Sequence, residues 1–405
     1  MNILFLSPWL PWPPYDGGRI RILETLRYLS RRHSVTLVTS VGRAEEIEEA
    51  SILKDLCHDV ITTVMSKRTG AVLSRLSRGV LSKRSLIQSF YYDARLAQQV
   101  RDLTARVAYD IIQVEFPFLT PYLKAIEPHS RAKKILTMHN IESLRFEREL
   151  QLSRWGNRRF VLLGDHIFFR AWEKEALKQF DGIITVSDVE RNWVQRHAPG
   201  STVDVIPNGV DTSYFSPLSP VPLKTNPHIL FTGAMDYPPN VDAACWFCNE
   251  ILPVLHRNIP DIGLKIVGKN PHPQVLELGK KKGVEVTGTV PDIRSYLAGS
   301  AALIVPLRSG GGTRLKILEA MAMERPVIST TVGAEGLKIT PGGDILIADN
   351  AQQFVSHIQL LLRSPETAEL IGQRGRLLVT QKYDWQVCLG RLDRLYDAVL
   401  DSEAA

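Results

Sequence analysis

A glycine-rich turn followed by cationic and acidic side chains is the strongest candidate for chemistry in this sequence. Its residues are, in order, Gly310, Gly311, Gly312, Thr313, Arg314, Lys316 and Glu319. Glycines let the backbone approach a ligand closely, and the free N–H groups at a helix start favour a phosphate. Arg314 and Lys316 would add two cations, and Glu319 could accept hydrogen bonds from ribose hydroxyls. The combination predicts a nucleotide-phosphate site, whereas glycines alone would also suit tight helix–sheet packing.

Apolar segments on either side predict the elements that hold this turn. Residues 301–307 are continuously apolar, as expected of a strand buried on both faces. Residues 326–330 supply the next strand after the helix. The segment is therefore predicted to form a strand, a turn, a helix and a further strand.

The same alternation runs through two halves of the chain. The first half opens with a strand at Asn2–Ser7 and passes the Gly17-Gly18 turn into a helix at 19–32 and a strand at 35–39. Further strands are predicted at 111–114, 134–138, 183–186, 203–206, 229–233, 264–267, 284–286, 303–305, 327–329 and 345–348. Strands alternating with helices predict α/β domains whose parallel sheets are covered by helices.

The predicted fold class is α/β, with two Rossmann-like, doubly wound domains facing each other across a cleft. The N-terminal domain would cover residues 1–205 and the C-terminal domain residues 206–380, joined where a proline-rich segment begins. A final amphipathic helix within 381–405 would pack back on the first domain. Because ligands of such folds bind outside the carboxyl ends of the strands, the two glycine turns should line the cleft.

Composition excludes several classes of protein. The chain has 405 residues, 44% hydrophobic and 23% charged, as in soluble globular proteins. It has no apolar run of 18 residues, and its start lacks the features of a signal peptide. Four cysteines are too few for a disulfide framework and complete no zinc site, so we predict a reducing compartment and no metal. Cys245 and Cys248 fall in a predicted helix at 241–255, where core packing is their expected role.

The net charge of +6 is concentrated in one segment. Between Lys67 and Arg106 the sequence has nine Lys or Arg residues and two Asp, interleaved with apolar side chains. This pattern predicts docking on an anionic membrane surface, and a solvated helical face is the alternative. Nucleic acid is not an expected partner, because recognised motifs and aromatic stacking platforms are missing.

Five short motifs together resemble the retaining glycosyltransferases of the GT-B fold, in glycosyltransferase family 4. They are Asp16-Gly17-Gly18, Thr137-Met138-His139-Asn140, Thr185-Val186-Ser187, Ile206-Pro207-Asn208-Gly209-Val210-Asp211 and Leu318-Glu319-Ala320-Met321-Ala322. The resemblance covers nearly the whole chain. It implies transfer of a sugar from a nucleotide-diphosphate sugar to an acceptor hydroxyl, with the donor on the C-terminal domain and the acceptor on the N-terminal domain.

The resemblance also implies roles for single residues. Glu319 matches the second glutamate of the family's E-x7-E pattern, which binds the donor ribose, while Gly311 replaces the first glutamate. His139 is implied to contact the donor sugar or the reacting centre. Glu115, which ends another strand, is a candidate to meet the acceptor hydroxyl. Gly17 and Gly18 would supply N–H groups from the opposite wall.

One departure from the family lies after the strand at 229–233. Many relatives carry an Arg and a Lys there that clamp the diphosphate, but here Ala234 follows and the loop to Asn240 has no cation. We hypothesise that Arg314 and Lys316 neutralise the diphosphate instead. Cations and N–H donors at the departing phosphate would make a metal ion unnecessary.

The expected partners are a nucleotide sugar and a glycan or lipid-linked acceptor, with no further cofactor. The pathway would be synthesis of an exopolysaccharide or another cell-surface glycan, in the cytoplasm or on the inner face of the plasma membrane. Two alternatives stay open: a nucleotide-sugar 2-epimerase of the same fold, and an inactive binding or scaffold homologue.

Overall fold

The structure, a computed structural model, describes residues 1–65, 85–144, 147, 169–170, 172–218, 227–310 and 314–401. The chain forms two compact units. The first comprises Met1–Pro207 together with Leu389–Ala405, and the second comprises Asn208–Cys388.

Seven parallel strands form the sheet of the first unit within these described residues. They lie in the order β3-β2-β1-β4-β5-β6-β7. Their bounds are β1 (Asn2–Ser7), β2 (Ser34–Val41), β3 (Asp59–Val64), β4 (Ile111–Glu115), β5 (Lys133–Met138), β6 (Gly182–Thr185) and β7 (Thr202–Val205). The inner strands are buried on both faces, which explains their nearly continuous apolar sequences. The strand order reverses direction between β1 and β4, and this creates a crevice at the carboxyl ends of these two strands.

Helices connect the strands of this sheet. They are α1 (Gly17–Leu29), α2 (Glu46–Glu49), α3 (Leu86–Tyr91), α4 (Ala94–Arg106) and α5 (Asp188–His197), with 3-10 segments at Ala50–Asp55 and Pro117–Ala125. Asp16 caps α1, since its Oδ1 accepts a hydrogen bond from the Arg19 backbone N–H at 3.0 Å. Residues 172–177 are also helical.

The second unit repeats the arrangement with six parallel strands among its described residues. Their order is β10-β9-β8-β11-β12-β13. The strands are β8 (His228–Thr232), β9 (Gly263–Val267), β10 (Val284–Gly288), β11 (Ala302–Val305), β12 (Val327–Ser329) and β13 (Leu346–Ile347). The helices are α6 (Pro238–Trp246), α7 (Leu252–Asn258), α8 (Pro273–Leu278), α9 (Arg294–Gly299), α10 (Leu315–Ala322), α11 (Ala351–Arg363) and α12 (Pro365–Lys382). The strand order reverses here between β8 and β11, which places a second crevice at their carboxyl ends.

The predicted helix at 241–255 is interrupted in the structure. A π-helical turn at Phe247–Ile251 separates α6 from α7. Pro253 follows this turn and has no N–H for the carbonyl four residues earlier, so the wider turn relieves the clash that its ring would cause. Cys248 is buried beside Phe247 in the core, which agrees with the packing role expected for it.

The last helix, α13 (Trp385–Asp401), begins in the second unit and continues in the first. Five apolar or aromatic side chains of its later turns are buried: Leu389, Leu392, Leu395, Tyr396 and Val399. Among the helices in the described ranges, none combines the length and apolar character needed to cross a bilayer.

The basic segment predicted to dock on membranes falls largely outside the described residues. These undescribed positions include Arg75, Arg78, Lys83 and Arg84. Its later part forms α3 and α4, and α4 buries one apolar face that includes Leu96 and Val100.

Candidate functional site

The crevice of the second unit lies where β8 and β11 end. The segment after β8 runs from Gly233 to the start of α6, and the segment after β11 leads through Gly310 to Arg314 and α10. The residues singled out by the sequence therefore lie at the switch point of a doubly wound sheet, where such folds bind their ligands.

Lys316 extends from the first turn of α10 to the carboxyl end of β8. Its Nζ donates hydrogen bonds to the carbonyl oxygen of Thr232 and to Oδ1 of Asn240, the latter at 3.2 Å. The same atom lies 4.7 Å from the centre of the Phe231 ring. A cation therefore lies at the end of β8, although the loop after this strand contains none.

Gly233 makes this placement sterically feasible. Its φ is +154°, and a β-carbon at this position would lie 2.8 Å from Lys316 Nζ and 2.7 Å from Asn240 Nδ2. Any larger residue would require the ammonium group or the Asn240 amide to shift. Asn240, which the sequence analysis missed, also donates from Nδ2 to the Ala234 carbonyl oxygen at 2.9 Å. It therefore braces the loop and the lysine together.

Arg314 precedes α10 and packs against the glycine turn. Gly310 has a φ of +122°, and a β-carbon there would lie 2.7 Å from Arg314 Nη2. The guanidinium group therefore lies against the backbone of the turn, which requires a residue without a side chain. Gly311, Gly312 and Thr313, which were also predicted to bind phosphate, lie outside the described residues.

Glu319 lies on the same helix as Lys316, and burial perturbs both groups. Burial raises the pKa of Glu319 to about 7, and the charge of Lys316 opposes this rise. Burial lowers the pKa of Lys316 to about 7, the charge of Arg314 lowers it further, and Glu319 opposes the change. Both side chains can therefore change protonation state near neutral pH when a charged ligand arrives.

A second cation near the end of β11 was not anticipated from the sequence. Arg308 donates from Nη2 and Nε to the carboxylate of Asp242 on α6, at 2.5 and 3.0 Å. Its guanidinium carbon lies 5.4 Å from the Trp246 ring. This ion pair joins the segment after β11 to the helix that follows β8.

In the first unit, Glu115 and His139 form a buried pair at the ends of β4 and β5. His139 Nε2 lies 2.6 Å from Glu115 Oε2, and the two side chains are 6% and 1% exposed. The Phe116 ring stacks on the imidazole with centroids 3.9 Å apart and planes 6° from parallel. Phe116 has a φ of 76°, a backbone conformation that is uncommon for a residue with a side chain. The two predicted catalytic candidates are therefore in direct contact.

Burial favours a neutral histidine, and the hydrogen bonds and charges around the pair favour an ionised glutamate. Burial acts to raise the pKa of Glu115, but the His139 and Gln113 hydrogen bonds and the charge of Arg21 outweigh it, so the pKa is lowered. Burial lowers the pKa of His139; Glu115 opposes this effect, and Arg21 adds to it. The carboxylate is thus the charged member of the pair.

Gly17 and Gly18 form the first residues of α1, next to the crevice between β1 and β4. A β-carbon on Gly18 would lie 3.3 Å from the Trp9 ring and 3.8 Å from the Phe116 ring. Arg19 is engaged locally: it donates to the Leu10 carbonyl oxygen and lies 4.4 Å from the Tyr15 ring centre. Its side chain holds the proline-rich loop against α1.

A cavity of about 550 Å³ lies beside this turn within the first unit. Its lining includes the aromatic and apolar side chains Trp9, Met65, Phe90 and Tyr91 and the carboxylates Asp16 and Glu46. The Trp9 ring contacts Phe116 at 5.0 Å between centroids, and Phe116 stacks on His139. The Phe116 ring therefore lies between Trp9 in the cavity wall and His139 of the buried pair.

Groups suited to holding a metal ion are not clustered in the part of the chain that the structure describes. No three His, Cys, Asp or Glu side chains come together there as metal ligands would. The cations Arg314 and Lys316 lie at the start of α10, near the crevice of the second unit.

Two doubly wound α/β units with parallel sheets define the GT-B class of glycosyltransferases. Sequence profiles agree: "Glycosyltransferase Family 4" matches residues 15–214, and "Glycosyl transferases group 1" matches residues 226–364. The chain therefore belongs to glycosyltransferase family 4, and the expected family and GT-B fold class of two parallel-sheet α/β domains are confirmed, while retention of configuration stays a prediction.

Curated relatives include both an uncharacterised and a characterised protein. The chain is 24% identical, over 95% of its length and 96% of the relative's, to an uncharacterised 44.6 kDa protein in the cps region of Klebsiella pneumoniae. It is also 24% identical, over 74% of its length and 87% of the relative's, to a GDP-mannose-dependent alpha-(1-6)-phosphatidylinositol monomannoside mannosyltransferase of Mycolicibacterium smegmatis.

Solved structures share the fold at low sequence identity. Sucrose-phosphate synthase from Thermosynechococcus elongatus aligns with a TM-score of 0.73 at 18% identity, covering 99% of this chain and all of the other. Anabaena HepE, solved in complex with UDP and glucose, aligns with a TM-score of 0.68 at 15% identity, covering 98% and 100%.

Proposed function

We propose that this glycosyltransferase moves a sugar from a nucleotide-diphosphate sugar to a hydroxyl of a glycan acceptor, with retention of configuration. The observation that carries the proposal is the position of Lys316 and Glu319 on one helix at the switch point of the second unit. The ammonium group lies against the end of β8, and the carboxyl group lies farther along α10. The cation that we propose for the diphosphate and the carboxyl group that we propose for the ribose hydroxyls thus belong to one helix.

Departure of the nucleotide diphosphate builds negative charge on its outer phosphate. Preorganised cations stabilise that charge without reorganising during the reaction. Lys316 and Arg314 would fulfil this role, together with N–H groups of the turn at 310–313, so that no metal ion is needed. Retention follows the family pattern, in which the acceptor attacks from the face that the leaving group vacates.

The first unit would bind the acceptor. His139 would contact the donor sugar or the reacting centre, and Gly17 and Gly18 would contribute N–H groups. We place an acceptor sugar in the cavity beside Trp9, since aromatic faces pack against the apolar face of a pyranose and carboxylates accept hydrogen bonds from its hydroxyls. The Klebsiella relative from a cps region supports synthesis of a cell-surface polysaccharide, on a free or lipid-linked acceptor.

A thermal-shift titration with UDP, GDP, ADP and CMP tests the donor site and names the base. A ligand that binds only the folded state raises its melting temperature. We expect one nucleotide to stabilise the wild type and to lose this effect in Glu319→Ala, whose own melting must remain cooperative. Failure of every nucleotide to stabilise the protein would contradict the proposal and favour an inactive scaffold.

Turnover then separates a transferase from an epimerase. The nucleotide sugar that binds is incubated with and without glycan acceptors, and its products are followed by mass spectrometry and NMR. A transferase consumes it only slowly, by hydrolysis, until an acceptor is present. Conversion to an isomeric nucleotide sugar without acceptor would instead identify a 2-epimerase.

Docking on the inner face of the plasma membrane is proposed on charge alone. Vesicles containing about one third anionic lipid should carry the wild type upward in a density gradient at low salt. Reversing the charges of Arg75, Arg78, Lys83 and Arg84 should abolish this flotation. Wild-type protein that stays at the bottom of the gradient would contradict membrane docking and leave the transferase proposal untouched.

A further inference from the structure

A continuous chain of hydrogen-bonded side chains runs through the first unit from α13 to His139. The Tyr396 hydroxyl and Gln113 Oε1 form its first link, and Gln113 Nε2 donates to Glu115 Oε1 at 2.8 Å. Glu115 Oε2 then contacts His139 Nε2. All four side chains are buried, and we call this set the Tyr396–His139 chain.

The direction of every hydrogen bond in this chain is fixed by chemistry. An ionised Glu115 can only accept, so Gln113 must turn its NH₂ group toward it. The same NH₂ group also donates to Thr137 Oγ1 at 3.1 Å. The amide oxygen of Gln113 is consequently left facing Tyr396, and the phenol must donate. Burial and the charges of Glu115 and Asp393 raise the pKa of Tyr396 well above its usual value, so the phenol keeps this proton.

The far end of the chain determines which nitrogen of His139 carries hydrogen. Because the Glu115 carboxylate accepts at Oε2, Nε2 must be protonated. A neutral imidazole then has a lone pair on Nδ1 and can accept a hydrogen bond there. Loss of solvent lowers the pKa of His139 and the charge of Arg21 adds to this effect, which together outweigh the opposing influence of Glu115 and Glu142 and disfavour a second proton on the ring.

We propose that Glu115, Gln113 and Tyr396 are positioning residues that hold His139 in its Nε2–H tautomer, with Nδ1 free to accept a hydrogen bond from a substrate hydroxyl. Glu115 acts through the histidine and does not itself meet the acceptor, since both of its oxygens are engaged by side chains and it is 1% exposed. The hydrogen bond to a substrate hydroxyl rests on the proposed function, whereas the tautomer of His139 does not depend on it.

Nitrogen-15 NMR of histidine-labelled, ligand-free protein tests the tautomer directly, with His139→Gln to assign the signal. We expect the wild type to show a protonated Nε2. Glu115→Gln should reverse this pattern: its new NH₂ group faces His139 while its oxygen still accepts from Gln113, so Nε2 must accept and Nδ1 must carry the proton. A purely structural role for Glu115 would not invert a tautomer.

Tyr396→Phe tests the distant end of the chain without changing a charge. Loss of its donor leaves the Gln113 oxygen without its phenol partner and weakens the hold of Gln113 on Glu115. The nitrogen-15 shift of His139 Nε2 should therefore change, while the Glu115 carboxylate still keeps the Nε2–H tautomer. Tyr28→Phe is the matched control, because the Tyr28 hydroxyl contacts Asp393 of the same helix at 2.8 Å but is not part of the chain. It should leave the His139 signal unchanged.

Steady-state kinetics provide the second readout. We expect Glu115→Gln to lower kcat about 10- to 100-fold, Tyr396→Phe to lower it a few fold, and neither to change the donor KM appreciably. An Nε2–H signal that persists in Glu115→Gln would overturn the proposal. A wild-type Nε2 shift together with a wild-type kcat in Tyr396→Phe would overturn its extension to α13. Because the NMR experiment requires no turnover, a negative NMR result would refute the tautomer proposal without contradicting the proposed function.

Discussion

Replacing Lys316 by methionine should separate phosphate binding from nucleoside binding. Methionine is also long and unbranched, so the change removes the charge while largely filling the same space. In the wild type the ammonium group is held against β8 by the Thr232 carbonyl oxygen and Asn240, and it faces the crevice at the end of that strand. The variant should therefore lose affinity for ligands that carry a diphosphate and retain affinity for the nucleoside.

The size of the loss follows from one charge-assisted hydrogen bond. Such a bond contributes about 1.5–3 kcal/mol. Its loss corresponds to a dissociation constant for the nucleotide sugar that is roughly 10- to 150-fold larger. The nucleoside should bind within about threefold of its wild-type affinity. Lys280→Met is the control, because Lys280 is an exposed lysine of the same unit that is paired with Glu277 on the surface.

The pKa of Lys316 adds a second, independent signature. Burial lowers the pKa of Lys316 to about 7. At pH 8 the Lys316 side chain is therefore neutral in about nine of ten ligand-free molecules, and these molecules must take up a proton when the diphosphate binds. The ratio of nucleoside to nucleotide-sugar dissociation constants should thus fall about fivefold from pH 7 to 8 and about tenfold from pH 8 to 9. The protonation of Glu319 affects the dissociation constants of both ligands, so its effect cancels in this ratio.

Isothermal titration calorimetry in two buffers of different ionisation enthalpy measures both quantities. Near pH 8 the wild type should take up about one proton with the nucleotide sugar, and Lys316→Met should take up none. Equal losses of nucleoside and nucleotide-sugar affinity in the variant, or wild-type binding without proton uptake, would refute the assignment of Lys316 to the diphosphate.

Three further predictions concern stability and reactivity. Burial raises the pKa of Glu319 to about 7, so the native state binds more protons than the unfolded chain between about pH 4.5 and 7, and its stability falls as pH rises through that range. Glu319→Gln should therefore raise the melting temperature of the ligand-free protein at pH 8 but not at pH 4. A lower melting temperature at pH 8 would contradict this reasoning. Gly310→Ala should reduce the free energy of unfolding by more than about 1 kcal/mol in urea titrations, because its φ is positive and its β-carbon would meet Arg314; an unchanged midpoint would show that the turn adapts. Burial raises the pKa of Cys248 to about 12, so iodoacetamide at pH 8 should leave it unmodified in native protein and label it after denaturation, and native labelling detected by mass spectrometry would argue against core packing.

Strand positions in this chain were predictable because both faces of each inner strand are buried. Continuous apolar runs located β1, β4 and β11 to within a residue or two at each end. β3, Asp59–Val64, was missed, since it lies at the edge of its sheet and is mostly half-buried, with polar residues interrupting its apolar pattern. Edge strands bury less apolar surface and therefore carry a weaker sequence signal.

Contacts between distant segments were not predictable from spacing. The sequence predicted Lys316 to be a cation for phosphate, and this role stays a prediction. Its contact with Thr232 depends on the neighbouring placement of β8 and β11. Tyr396 and Gln113 are 283 positions apart, and Tyr396 looked like one of several apolar positions of an amphipathic helix. Gln113 offered a signal that could have been used, because a polar side chain inside an apolar strand requires a buried partner.

The passage of the chain from the first unit into the second and back has a consequence for gene fusion and for exchange of donor specificity between relatives. In sequence the second unit is an insertion, so transplanting residues 208–388 requires two junctions, and the second falls inside α13. A spliced helix transmits every error in length, because one added residue rotates all later side chains by about 100°. Chimaeras joined there out of phase would turn Leu392 outward and separate Tyr396 from Gln113, whereas junctions that preserve the phase would keep the first unit intact when the second unit is exchanged.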